Sequence, residues 1–367
     1  MAIKNFLRCY TLKCGSMGGS GFEIGNVKSA KDTALHISFS IEKSDAETAN
    51  TAKVQIWNLS DKHLKLLESK DCVVELKAGY ENNMALILVG NVTSVTTVSD
   101  NADRMTELEV VDGRVALRDT DVSISMNGAV NCMDVYTQIA AQMGIPVIFA
   151  PDITYKILPN GFSFVGTARN GLQKISRCCG HRFSIQNQIL QVTWPGRPIS
   201  VQGYLLNNGS GLIDVPKKVT LSATAGSKEA DTGWEIRYFL NGAIGINDIV
   251  QVESSVASGY FRVQKITIDG DNLEGDWICT AQVLEIQAAP VAEPKPAEDT
   301  SIKKGDKVKV IRTMEQSGKK KGYQYAGGTF VCWYEVYDVI QVKGDRVVIG
   351  IGSTVTAAVK AADLQKV

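Results

Sequence analysis

Long apolar runs, an excess of charge of either sign and any dense grouping of cysteine or histidine are all missing from this sequence. No stretch approaches the roughly 18–20 apolar residues that cross a bilayer as a helix, so a helical membrane protein is excluded. The opening MAIKNFLRCYTLKCG is not a secretory signal: Arg8 and Lys13 interrupt its apolar residues and no small-residue cleavage site follows. Folding in a cytoplasm is therefore expected. Lysine plus arginine and aspartate plus glutamate both number 39. Without a basic excess, sequence-specific nucleic acid is excluded as the main partner. Eight cysteines spread over 367 residues are not the framework of a small secreted scaffold, and reduced thiols are the default.

What is present is alternation. ALHISFSIEK (34–43) sets Leu35, Ile37, Phe39 and Ile41 against polar neighbours, the mark of a half-buried strand. TAKVQIWNLS (51–60) alternates again. Ser60 then caps a short helix carrying Leu64, Leu66 and Leu67. Strands are predicted at 72–80, 85–98 and 105–113, with turns at ENNM and SDNAD between them. The clearest helix lies within 131–150: Asn131 caps it, Val135, Ile139, Ala140 and Met143 form one apolar stripe, and Gly144 and Pro146 end it. A second helix covers about 168–179 and ends at Gly180. RFSIQNQILQVTW follows as two strands about Asn187. Further strands are read at 219–222, 234–240, 249–256, 260–269 and 276–286. The order strand, tight connection, long strand, acidic turn, closing strand occurs from Cys72 and again from Asp248. Two related β-barrel units would produce this echo, and so would any antiparallel meander.

Composition shifts at QAAPVAEPKPAEDTS (287–301), which has little apolar bulk and reads as an extended linker. Residues 302–367 are then a separate small domain, in which Lys343-Gly344-Asp345 turns a hairpin.

Four stretches invite chemistry. SRCCGHRF (176–183) suggests a Cys178/Cys179/His181 thiolate site, but neighbouring cysteines on a helix diverge by about 100°. No CxxC, HxxxH or second Cys/His cluster accompanies them. The favoured reading is packed cysteines at a helix end with His181 on the surface. GSMGGSGFEIG (15–25) lacks the Gly-Lys-Ser/Thr ending of a phosphate loop and reads as a flexible N-terminal loop. Asp269, Asp271, Glu274 and Asp276 do not have calcium-loop spacing and read as a solvated hairpin tip. Lys319, Lys320 and Lys321, with Tyr323, Tyr325 and Trp333, pair charge with aromatic faces that bind sugars or anionic polymers. The competing reading makes the aromatics the core of a small barrel. No catalytic, cofactor-binding or metal-binding residue is assigned, no cofactor is expected, and an enzyme is not indicated.

Residues 30–286 resemble the central baseplate-hub proteins of contractile phage tails and related injection machines. The resemblance rests on TANTAKVQIWNLSDKHLKLLESKDCVVELKAGYENNMALILVGNVTSV: the I-x-N-L-S step at Ile56, Asn58, Leu59 and Ser60, the A-G-Y at Ala78, Gly79 and Tyr80, and Gly90, Val92 and Val95. MDVYTQIAAQMGIPV, GLIDVPK and SGYFRVQKITIDGDNLEGDWICTAQV fit the same pattern. YDVIQVKGDRVVIGIGSTVTAAVKAADL resembles the bacterial Src-homology-3 type modules that end many cell-wall amidases. The resemblances imply a mainly β protein: a first tail-tube-like β-barrel with a flexible N-terminal segment in 1–120, an α/β insertion in 121–200, a second barrel in 201–286, the linker 287–301, and the small β-barrel 302–367. They imply a homotrimeric structural hub in a virion tail baseplate, without catalysis. Such a hub joins a six-fold tail tube to a three-fold spike or needle, contacts other baseplate proteins and lines the central channel. A cell-wall-binding accessory acting through 302–367 is the alternative, with the lysine and aromatic residues above as candidate wall or partner contacts.

Overall fold

Alternating burial along the predicted strands is realised as one extended sheet. The computed structural model describes the chain except residues 1–6, 17–19, 28–33, 70, 82, 101, 152–155, 222–231, 287–301, 312–313, 317–319, 326–327, 333, 353 and 367. The protein is mainly β. It divides into two compact units, Met1–Ala288 and Ala289–Val367. The predicted linker 287–301 lies outside the described residues.

The first unit opens with a meander: β1 (Arg8–Ser16), β2 (Gly21–Gly25), β3 (Ile37–Ser44), β4 (Thr51–Trp57), α1 (Asp61–Leu67), β5 (Cys72–Tyr80), β6 (Asn83–Asp100) and β7 (Asp103–Val111). An α/β segment follows, with β8 (Asp121–Met126), β9 (Val130–Asn131), α2 (Cys132–Met143), β10 (Val147–Phe149), β11 (Ile157–Leu158), β12 (Phe162–Thr167), α3 (Ala168–Cys179), β13 (Arg182–Gln186) and β14 (Ile189–Thr193). A second meander closes the unit: β15 (Gly203–Leu206), β16 (Lys217–Thr220), β17 (Thr232–Phe239), β18 (Ile249–Glu253), β19 (Ser258–Asp271) and β20 (Trp277–Glu285).

The two meanders are hydrogen-bonded to each other. The sheet runs β16-β17-β20-β19-β3-β4-β7-β6-β5-β1-β2, and β18 with β15 branches from β19. The join is antiparallel pairing of β3 with β19, from Ser38 opposite Asp271 to Ser44 opposite Lys265. Both meanders share one apolar core, from Tyr10 and Leu12 in β1 to Ala281 and Val283 in β20. The α/β segment has its own core around Tyr136, Ile139, Leu172, Ile175 and Phe183.

One expectation is corrected here. The N-terminal stretch is largely β-hairpin and not a flexible loop: β1 pairs with both β2 and β5. Tyr10, Leu12 and Cys14 point into the core. The glycines serve close strand approach. A Cβ on Gly25 would lie 2.6 Å from the Tyr10 carbonyl oxygen, and one on Gly15 would lie 2.8 Å from the Gly21 Cα.

The second unit contains β21 (Lys307–Val310), β22 (Met314–Gln316), β23 (Lys320–Tyr325), β24 (Gly328–Val331), β25 (Tyr337–Lys343), β26 (Arg346–Ile351), β27 (Thr354–Lys360) and β28 (Leu364–Lys366). They form a five-stranded sheet, β27-β26-β25-β21-β28, and a three-stranded one, β22-β23-β24. The hairpin predicted at Lys343-Gly344-Asp345 joins β25 to β26, with Gly344 at φ 59°.

Candidate functional site

Helix capping builds a cluster of potential ligand side chains among the described residues. The Asn131 side chain accepts from the Met133 amide at 3.0 Å, which starts α2 and places Cys132 at its first position. The other helix, α3, ends on Cys179. Gly180 takes the left-handed cap at φ 77°, and the chain re-enters the core at His181. As the helical divergence of neighbours requires, Cys178 is exposed and Cys179 is buried.

His181, expected at the surface, is only 4% exposed. The turn after Gly180 carries it inward, where its ring packs edge-on against Trp194 at 4.7 Å and lies 5.8 Å from the Tyr136 ring. Cys132 joins it there. One ligand atom each from Cys132, Cys179 and His181 lie within 4.8 Å of one another. Sequence reasoning missed Cys132 because it belongs to another helix at no recognisable spacing. Among the described residues, neither ring nitrogen of His181 has a hydrogen-bond partner, and the buried Tyr136 hydroxyl has none either. Burial, reinforced by Cys132, pushes the Cys179 thiol up to about 12, against the pull of Lys156. Burial and then Lys156 lower His181. Both shifts favour the neutral forms, the reverse of what a thiolate nucleophile needs.

A buried polar seam fixes the α/β segment to the first meander. Asn187 and Gln188 turn the β13–β14 hairpin with φ of 51° and 60°. Their amides donate to the Asp112 carboxylate at 2.6 and 2.9 Å. Asn50 Nδ2 donates to the Ile185 carbonyl at 2.8 Å and to Gln186 Oε1 at 3.0 Å, and Lys43 Nζ donates to Asn187 Oδ1 at 2.6 Å. Burial brings the Lys43 ammonium down to about 8, although Asp112 attracts its charge. Near the second meander, the guanidinium of Arg262 reaches Asp45 and Asn247, both at 2.7 Å.

The acidic turn does not gather its carboxylates. Asp271 accepts from the Leu273 and Glu274 amides at 2.9 and 3.0 Å and meets His36 Nε2 at 2.9 Å, while Asp269 accepts from Ser40. Arg8 binds the turn from outside through the carbonyls of Asp271, Glu274 and Gly275. The turn's outer residues 273–276 are exposed, as a solvated tip requires, while its base is a clamped junction between the meanders.

In the second unit, Lys320, Lys321, Tyr323 and Tyr325 all lie on β23, whereas Lys319 and Trp333 lie outside the described residues. Tyr323 is buried, and its hydroxyl donates to Asp363 at 2.5 Å. Its ring belongs to the core and offers no open face for stacking. A cleft of about 570 Å³ lies beside the start of the α/β segment. Arg114, Arg118 and Arg169 face Glu47 and Glu109 across it, so it selects no single charge.

The open surface of the second meander carries exposed apolar side chains on either side of a glutamine. Leu205 of β15, Gln251 of β18 and Tyr260 of β19 stand opposite one another in register. Leu205 and Tyr260 are 44% and 49% exposed, and Val201, Tyr204 and Val256 are exposed nearby in sequence.

No protein-family model matches the chain, and no curated protein matches it significantly. Solved structures do. The 43 kDa tail protein of prophage MuSo2 from Shewanella oneidensis aligns at a TM-score of 0.51 and 10% identity, over 76% of this chain and 98% of its own. The tail protein from Neisseria meningitidis aligns at 0.50 and 11%, over 76% and 97%. The chain shares its fold with these tail proteins. At such identity the likeness concerns backbone architecture. It fits what positions this fold here, namely strand pairing between two meanders and a helical segment set between them.

Proposed function

We propose that this chain is a structural baseplate hub of a phage tail or tail-like particle. It would act as a homotrimer whose two meanders per chain present six similar units to a six-fold tail tube. The opposite face would receive a three-fold spike, and the axis would stay open for passage. The observation that carries this reading is the shared fold, which spans nearly the whole length of two tail proteins. The continuous β3–β19 join supports it as well, because a hub must hold both meanders in fixed orientation under load.

Closed rotational assembly needs a self-complementary or heterologous apolar surface on each chain. The exposed Leu205 and Tyr260, aligned on either side of Gln251 at the branch of the sheet that ends on β15, offer apolar contacts for such a surface. Sheet ends at β2, β15 and β16 offer strand edges for pairing between chains. Obligate interfaces of this sort bury upward of roughly 2,000 Å².

The test is the assembly state of surface variants. Leu205→Asp and Tyr260→Asp should each shift the purified protein from trimer to monomer in sedimentation while leaving its circular dichroism unchanged. Trimers undiminished in both variants would remove these two residues from the interface.

A further inference from the structure

We propose that Cys132, Cys179 and His181 form a structural zinc site that pins together the start of α2, the end of α3 and the entry to β13. The proposal does not depend on the hub reading. Three soft or borderline donors from three separate elements converge within 4.8 Å, and all three residues are buried. Tetrahedral zinc with thiolate bonds of about 2.3 Å sets ligands roughly 3.8 Å apart, so closure needs shifts of at most about 1 Å. Packing alone accounts for two buried thiols, because free cysteine behaves as a small hydrophobe. It does not account for His181.

His181 is 4% exposed, and both of its ring nitrogens are without a partner among the described residues. A buried polar atom left unpaired costs about 1–3 kcal/mol. A metal bond satisfies the nitrogen that faces the thiols. The charge also balances: two thiolates neutralise a dication, so no net charge is placed in the apolar core of the segment.

A bound dication would deprotonate both thiols against the bias of burial, with release of their protons. Cys132 opens a 12-residue helix, which fixes its position beside Cys179. Lys156 lies across the site, its amine donating to the Cys178 carbonyl at 2.6 Å and its carbonyl accepting from the Cys132 amide at 3.0 Å. The buried Tyr136 hydroxyl, one helical turn beyond Cys132, also lacks a hydrogen-bond partner among the described residues. Two thiolates and one imidazole are the protein donors the site offers to zinc.

The experiment uses the full chain, stripped with chelator and titrated with cobalt(II). One equivalent per chain is expected, giving thiolate-to-cobalt charge transfer and the intense visible bands of a tetrahedral ion, displaced by one equivalent of zinc. Cys178→Ser should keep the spectrum, whereas Cys132→Ala and His181→Ala should lose it. Since those two variants remove buried side chains and can fail to fold, zinc-edge X-ray absorption on the unaltered protein is the second readout. It should show two sulfur neighbours at about 2.3 Å and a nitrogen at about 2.0 Å. A folded, reduced full-length chain without cobalt bands overturns the proposal. So does a zinc shell of oxygen and nitrogen only, or a spectrum unchanged in a folded Cys132→Ala variant.

Discussion

His36 Nε2 lies 2.9 Å from the Asp271 carboxylate, joining the two meanders at the end of the β3–β19 pairing. The imidazole is stacked on Trp57 at 3.9 Å, and Arg8 holds the turn that carries Asp271 through three carbonyl oxygens. Burial alone would raise the Asp271 carboxyl, but the Glu274 amide, His36 and the Leu273 amide hold it below the usual carboxylate range. A carboxylate depressed in the folded state stabilises above its unfolded value and loses that stabilisation as pH falls through the folded one. Asp271→Asn should lower the stability of the first unit by about 1 kcal/mol at neutral pH. Urea unfolding should show this loss shrinking toward zero in acid, below the ordinary carboxylate value of 3.8.

Asp112 anchors the α/β segment by accepting two amides of the β13–β14 turn, with no exposed surface of its own. Asp112→Ala leaves those amides and the Lys43 ammonium beside an emptied site and should cost about 3 kcal/mol. Asp112→Asn, which keeps one acceptor, should cost less. Hydrogen exchange at the Asn187 and Gln188 amides should accelerate in the alanine variant well beyond any change in the strands of the first meander.

Gly79 explains physically why a small residue stands in Ala78-Gly79-Tyr80. A Cβ there would lie 2.0 Å from the Asn83 carbonyl oxygen, and the Gly79 carbonyl accepts the Trp277 indole N–H at 3.0 Å. The obstacle is backbone, so no rotamer change relieves it. Gly79→Ala should destabilise by about 3 kcal/mol or more and lower the thermal midpoint by several degrees. Gly128→Ala, with nothing within 4 Å of the added carbon but a φ of 75°, should cost clearly less.

These positions show how far the sequence could be read. Ser60, Asn131, Gly144 and Gly180 announce their helix ends because capping is local, and the structure places each cap there. Strands such as Cys72–Tyr80 are legible from alternation. Pairing of β3 with β19 is not, since no local pattern specifies a partner more than 200 residues away. The N-terminal hairpin was hidden because Gly15, Gly21 and Gly25 suggest freedom where the fold uses them for close approach. Cys132 carried no signal of its own: only the packing of α2 beside α3 brings it to Cys179 and His181.

Buried thiols give the fold an alkaline limit. Burial pushes Cys279 from 9.0 up to about 12 and raises Cys14 as well. Groups raised in the folded state contribute stability that is intact below their unfolded value and is lost as pH rises through the folded one. For Cys279, stability should therefore fall from about pH 9 to about pH 12, by about 1.4 kcal/mol per pH unit. Lys43, lowered to about 8 from 10.5, acts oppositely between those values. Comparing Cys279→Ala with the unaltered chain isolates the thiol: the two stability-against-pH curves should converge as pH rises above 9.

The most direct test of the hub account is the native mass of the purified full-length chain, measured by sedimentation or mass photometry over a concentration series. The account predicts a trimer of the 39.7 kDa chain that persists on dilution. A monomer at every concentration, unchanged when tail-tube and spike proteins of the same particle are added, would contradict it.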